Sequence, residues 1–197
     1  MRRVVSEGAA LELLLLGEVV AVATESSFGL LADASNPRAV ERLLRAKHRD
    51  SKGIGLIVPS VREWSHWVTE VPPEARLLAE KFWPGGLTIV LPAAHTVDTR
   101  LTHAGTIGVR EAGPSAARRL ARLSGLTLTA TSANAPGQPP ALDHASAERA
   151  LPAVWVAVGR APGGLPSTLV ALDGGRARLI REGAVPQRAL GQVVALD

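Results

Sequence analysis

Leu126-Thr127-Leu128-Thr129-Ala130-Thr131-Ser132-Ala133-Asn134 is an apolar run that breaks into a small polar turn. Leu126 to Ala130 reads as a strand, and Thr131 to Asn134 as the loop it runs into. Pro136, Gly137, Pro139 and Pro140 then stiffen the chain that follows. The same pattern occurs earlier. Val19 to Ala23 is a short β-branched run expected to be a buried strand, and Thr24-Glu25-Ser26-Ser27-Phe28-Gly29 follows it as a polar loop. A further strand, Thr106 to Arg110, ends on a cation. In open α/β sheets ligands bind in the crevice beyond strand ends. Loops there expose backbone N–H groups and short hydroxyls, which suit phosphate oxygens.

Helix signals separate these strands. Ser6 can cap a helix running to about Leu16, with Gly17 as its stop. Asn36-Pro37 supplies an N-cap and a first-turn proline to a helix that carries Val40, Leu43, Leu44 and Lys47 at helical spacing. Ser60 starts a short helix, and Pro72-Pro73 opens one ending near Phe82-Trp83. Another covers about 114–123, stopped by Gly125, and Asp143 opens one to Leu151. Leu56 to Val58, Leu87 to Leu91, Val154 to Val158, Thr168 to Leu172 and Ala177 to Ile180 complete the strands. Strands alternate with helices and then cluster late, which predicts an α/β fold with a mixed sheet. With no internal repeat or linker, residues 1–197 are expected to form a single domain.

The chain is 46% hydrophobic with only 3% aromatics, so Leu, Val, Ala and Ile must build the core. It has no cysteine, which excludes disulfides, thiolate chemistry and Cys-ligated metals. The five histidines, at 48, 66, 95, 103 and 144, show no metal-ligand spacing. Arg2-Arg3 and Leu13 to Leu16 imitate a signal peptide, but Glu7, Glu12, Gly17 and Glu18 interrupt any apolar core of one. No apolar run approaches the ~20 residues that span a bilayer. A cytoplasmic protein with no membrane partner is expected.

A net charge of +4 permits contact with nucleic acid without demanding it. Lysine occurs only at 47, 52 and 81, so Lys47-His48-Arg49 and Lys52 form an unusual cluster for this chain. Cations at a helix end complement the helix dipole. Three so close together also repel unless an anion joins them, and a triphosphate would do so. Ser132 and Asn134 can be turn residues, whose side chains bond their own backbone, or ligands of phosphate. Familiar phosphate motifs are absent: there is no P-loop and no dinucleotide-binding glycine fingerprint. There is no nucleophile elbow and no aromatic platform interleaved with basic residues.

Taken in order, the segments resemble the YrdC-type threonylcarbamoyl-AMP synthases from about Val19 to Val185. Ala23-Thr24-Glu25-Ser26-Ser27-Phe28-Gly29-Leu30 is similar to that family's P-T-[DE]-T-x-[YF]-G-L. Lys47-His48-Arg49 is similar to K-x-R, and Phe82-Trp83-Pro84-Gly85-Gly86-Leu87-Thr88 to F-W-P-G-x-L-T. Gly108-Val109-Arg110, Ser132-Ala133-Asn134, Pro166-Ser167-Thr168 and Ile180-Arg181-Glu182-Gly183-Ala184 follow as G-V-R, S-x-N, P-S-T and I-L-R-x-G-A. Each motif is short; seven in the right order are specific. The departures are Ala23 for the usual Pro, Ser27 for Val, Asp50 for Pro and Pro59 for His, with one extra residue between Lys47 and Leu56.

The resemblance implies a twisted open mixed sheet with flanking helices and a concave basic cavity. It implies a nucleotidyltransferase that condenses L-threonine, bicarbonate and ATP into threonylcarbamoyl-AMP and pyrophosphate, with Mg²⁺ accompanying ATP. Partner proteins would then transfer the threonylcarbamoyl group to adenosine 37 of tRNA. On this reading Lys47 and Arg49 are catalytic and bind ATP together with Lys52, Thr106, Ser132, Asn134 and Arg181. Thr24, Arg110 and Ser167 hold threonine, with no protein-held metal. The alternative is a non-catalytic factor that binds double-stranded RNA or tRNA, or assists ribosome maturation. Carbamoyl-phosphate chemistry, as in related hydrogenase-maturation proteins with zinc-finger regions, is disfavoured by the absence of cysteine.

Overall fold

The computed structural model describes residues 3–47, 53–134, 137–173 and 176–197. In chain order the elements are β1 (Val4–Val5), α1 (Glu7–Leu15), β2 (Val20–Ala23), β3 (Phe28–Leu31), α2 (Pro37–Lys47) and β4 (Gly55–Ile57). A 3-10 turn (Val61–His66) leads to α3 (Pro73–Phe82) and β5 (Leu87–Pro92), and a second (Thr99–Leu101) to β6 (Thr106–Arg110). Then come α4 (Ala116–Ser124), β7 (Leu128–Ser132), α5 (His144–Ala150), β8 (Trp155–Ala157), β9 (Thr168–Asp173), β10 (Arg176–Arg181) and α6 (Gln187–Leu190). The strands form one mixed sheet in the order β1-β8-β2-β3-β7-β4-β6-β5-β9-β10.

Helix ends follow the sequence signals. The Ser6 hydroxyl accepts from Ala9 N, and Asn36 Oδ1 accepts from Arg38 N and Ala39 N. Gly125 ends α4 at φ 71°, a left-handed position that suits glycine. Asp143 and Ser146 cap α5 reciprocally.

Two apolar layers cover the sheet. Ala10 and Leu14 of α1 and Ala117, Leu120 and Ala121 of α4 pack on Val20, Val22, Ile57 and Leu128. On the other side α2, α3 and α5 contribute to a larger core with Leu30, Leu56, Leu87, Ile89 and Val109. Trp83 meets Trp64 edge-on at 4.9 Å, and its indole N–H donates to the Leu87 carbonyl over 2.7 Å. The strand period of two divides the later strands cleanly. Leu87, Ile89 and Leu91, Ile107 and Val109, and Val170 and Leu172 belong to the core. Thr88, Val90, Thr106, Gly108, Arg110 and Leu169 line a hollow on the opposite side.

Three features differ from the sequence expectation. The polar loop is shorter than predicted, because Phe28–Leu31 is itself a fully buried strand that pairs with β2 as a hairpin. Thr24 closes that turn: its N–H and its hydroxyl both donate to Ser27 O. Thr131 and Ser132 lie at the end of β7 rather than in a loop, opposite Leu30 and Gly29. The short β1 and α6 carried too few residues for a periodic signal. His48, Arg49 and Lys52 fall outside the described residues.

Candidate active site

The hollow is an open cavity of about 530 Å³. It lies over the face of the sheet, not beyond the strand ends as the strand-end rule suggests. Register explains this. β4 runs parallel to β6 and antiparallel to β7, so Arg110 stands level with Ile57 and Leu128 while Ser132 lies at the far end of β7. The ligand-facing ends of β6 and β7 therefore point in opposite directions, and what joins them is the concave face between. Gly108 keeps that floor low, since a Cβ there would meet Thr88 Cγ2 at 2.9 Å.

Six of the expected site residues line this cavity: Thr24, Thr106, Arg110, Ser132, Ser167 and Arg181. They come from the hairpin turn, β6, β7 and the β9–β10 region. Among the described residues the lining includes two arginines and no carboxylate, which suits anionic ligands. Hydroxyls dominate its remaining polar surface.

Local hydrogen bonds hold each group. Thr106 donates to His103 O over 2.8 Å. Thr88 Oγ1 donates to Ser167 Oγ over 2.9 Å, and Arg181 Nη2 donates to Ser167 O over 2.8 Å. Buried Thr168 ties this corner together: its hydroxyl donates to Val185 O and accepts from Gly183 N and Val185 N. Gly183 is required there, because a Cβ would collide with the Pro166 carbonyl oxygen.

Lys47 and Asn134, both expected at the ATP, are bonded to each other and to the turn at the end of β7. Lys47 is buried, and its Nζ donates to Ser132 O over 2.6 Å and to Asn134 O over 2.9 Å. Asn134 Oδ1 accepts from Ser132 Oγ, and its amide donates to Gln138 O. Neither Lys47 nor Asn134 lines the cavity; together they shape the turn that presents Ser132.

Other residues were missed by sequence reasoning. Thr88 lines the cavity and was legible as the one hydroxyl in an apolar strand. Ser26, Ser27 and His103 also line it. Glu25 binds Arg110 Nη1 and Gly113 N, each over 2.6 Å, through the same oxygen, Oε1. Its signal was a single acid in a hydroxyl-rich turn.

The sequence and the fold have counterparts among known proteins. The Sua5_yciO_yrdC family model, described as telomere recombination, matches residues 12–183. The chain is 33% identical over 183 residues to the threonylcarbamoyl-AMP synthase of Pyrococcus abyssi (strain GE5 / Orsay), covering 90% of this chain and 54% of that one. It thus spans about half the length of that relative. It is 38% identical over 164 residues to the threonylcarbamoyl-AMP synthase of Thiobacillus denitrificans (strain ATCC 25259 / T1), covering 81% of this chain and 87% of the relative. The crystal structure of P. abyssi Sua5 complexed with L-threonine matches with a TM-score of 0.89 at 29% identity, over 96% of this chain and 57% of that one. E. coli YciO matches with a TM-score of 0.79 at 25% identity, over 93% and 92%. By motif order, sheet topology and these matches, the chain belongs to the Sua5/YciO/YrdC family.

Proposed function

We propose that this chain is an L-threonylcarbamoyladenylate synthase. The observation that carries the reading is one cavity, with no carboxylate among the described residues that line it, that gathers Thr24, Thr106, Arg110, Ser132, Ser167 and Arg181 from distant segments, in a fold whose P. abyssi relative was crystallised with L-threonine. The threonine amine adds to the bicarbonate carbon, water leaves and a carbamate forms. A carbamate oxygen then attacks the α-phosphorus of ATP, the bond to the β-phosphate oxygen breaks, and pyrophosphate departs. Both partners are anions, so catalysis rests on positioning and charge stabilisation, with no protein nucleophile.

Thr24, Arg110 and Ser167 would hold threonine, with Arg110 on its carboxylate. Thr106, Ser132 and Arg181 would face the nucleotide. Lys47, Arg49 and Lys52 are assigned to the triphosphate and the charge that develops on it, with Lys47 and Arg49 catalytic, and Asn134 joins Ser132 on phosphate or ribose oxygens; Lys47 also bonds the Ser132–Asn134 turn. Mg²⁺ would enter with ATP, held by phosphates and water; among the described residues no group of three or more His, Asp or Glu could bind it. No helix among them is long and apolar enough to cross a membrane, and we assign the protein to the cytoplasm. Residues 1–197 would act as one domain and pass the intermediate to a tRNA-modifying partner complex.

The test is mass-spectrometric detection of threonylcarbamoyl-AMP, with pyrophosphate release that requires both threonine and bicarbonate. Salt-sensitive RNA binding without either product would instead favour the non-catalytic alternative.

A further inference from the structure

We propose that Glu25 is a positioning residue for recognition of the substrate carboxylate: it straps the hairpin turn to Arg110 and fixes the direction in which the guanidinium faces the cavity. This assignment rests on the threonine-binding reading above.

The first observation is topological. Glu25 belongs to the turn between β2 and β3, and Phe28 at the start of β3 is tied to the Ser132 end of β7 through the Ala133 N–H, which donates to Phe28 O. Arg110 lies level with Leu128, at the other end of β7. The Glu25–Arg110 ion pair therefore runs along the cavity, bringing Thr24 and Arg110 to a fixed separation. β7 and β4 stand between β3 and β6 in the sheet, so no strand pairing does this.

The second observation is that the contact is one-armed. Oε1 takes both Arg110 Nη1 and Gly113 N, whereas Oε2 is buried without a hydrogen-bond partner among the described residues. A two-armed pair would satisfy Oε2 and occupy two donors of the guanidinium fork. An unsatisfied buried carboxylate oxygen is unfavourable. Among the described residues the arrangement leaves the rest of the fork for a second carboxylate. Arg110 lines the cavity and Glu25 does not, so the acid approaches from outside the ligand space.

The third observation is the support behind Glu25. A Cβ at Gly113 would lie 3.3 Å from Glu25 Oε1 and 3.4 Å from its Cγ. The glycine thus admits the carboxylate to its backbone N–H.

The experiment compares wild type, Glu25→Gln and Gly113→Ala by calorimetric binding of L-threonine and L-threonine amide, with KM for ATP and a melting curve for each. Glu25→Gln should weaken threonine about tenfold and shrink its advantage over the amide, while KM for ATP stays near wild type. Gly113→Ala, which displaces the carboxyl without touching Arg110, should give the same threonine-selective loss. Unchanged threonine affinity in either folded variant would overturn the proposal. So would equal losses for threonine, its amide and ATP alongside a lowered melting temperature, the pattern of a purely structural ion pair. A wild-type protein that binds no threonine would overturn the functional reading and this assignment with it; one that binds threonine isolates Glu25 as the point tested.

Discussion

Lys47 Nζ donates to the Ser132 carbonyl oxygen over 2.6 Å, so the last residue of α2 holds the end of β7. A cation at a helix terminus is here a clasp between two distant elements. Lys47→Met removes it and leaves the Ser132 and Asn134 carbonyls without their donor. The cost should be about 2–3 kcal/mol, a fall in melting temperature of about 5–10 °C for a chain of this size. Synthase activity should be lost with it. Lys47→Arg should not restore either, because a planar guanidinium is no substitute for a compact ammonium. Thermal melts and a pyrophosphate-release assay check both.

Thr168 should be less replaceable than its motif neighbour Ser167. Its buried hydroxyl serves one carbonyl and two N–H groups. Thr168→Val keeps the shape and strands both N–H groups, for a loss of about 3 kcal/mol in chemical denaturation. Thr168→Ser should remain near wild type.

Arg181 should separate the two substrates. Its guanidinium is exposed and lines the cavity. Arg181→Ala should raise KM for ATP about tenfold through loss of a charge-assisted contact. KM for threonine should move little, because Ser167 keeps its bond from Thr88. Steady-state kinetics with each substrate varied in turn will test this.

Acid should weaken the fold through surface carboxylates. The hydrogen bond from Arg119 chiefly holds the Glu7 carboxyl below its ordinary 4.5, and that from Arg100 holds Asp98 below 3.8. A depressed carboxyl stabilises the fold above its unfolded pKa and ceases to as pH falls through the folded one. Melting temperature should therefore decline below about pH 4.5, and Arg119→Leu should flatten the upper part of that decline. The effect should be modest, because the Glu7–Arg119 pair is well exposed to solvent.

Much of the architecture was legible because its signals are local. Asn36 before Pro37, Gly125 after α4 and the Asp143–Ser146 pair each mark a helix end by their own chemistry. The β2–β3 hairpin was missed because Thr24 to Ser27 dominates the polarity of the segment and hides a four-residue strand behind it. The site divides along the same line. Thr24, Arg110, Ser132, Ser167 and Arg181, singled out because order along the chain matched a known pattern, line one cavity. The hydrogen bonds of Lys47 were not legible, since a bond from Nζ to carbonyls 85 and 87 positions away leaves no periodic trace. The Glu25–Arg110 strap is equally non-local.

The strand order also sets a timetable for synthesis. β1 and β2 are neighbours only through β8, which pairs in parallel with both. Until residues 155–157 leave the ribosome, the outer edge of β2 has its backbone donors and acceptors open, and Val4–Val5 has nowhere to dock. Such bare edges invite association with other chains. A released chain truncated after Leu151 should accordingly sediment as aggregate, whereas one that carries β8, β9 and β10 should begin to resist protease.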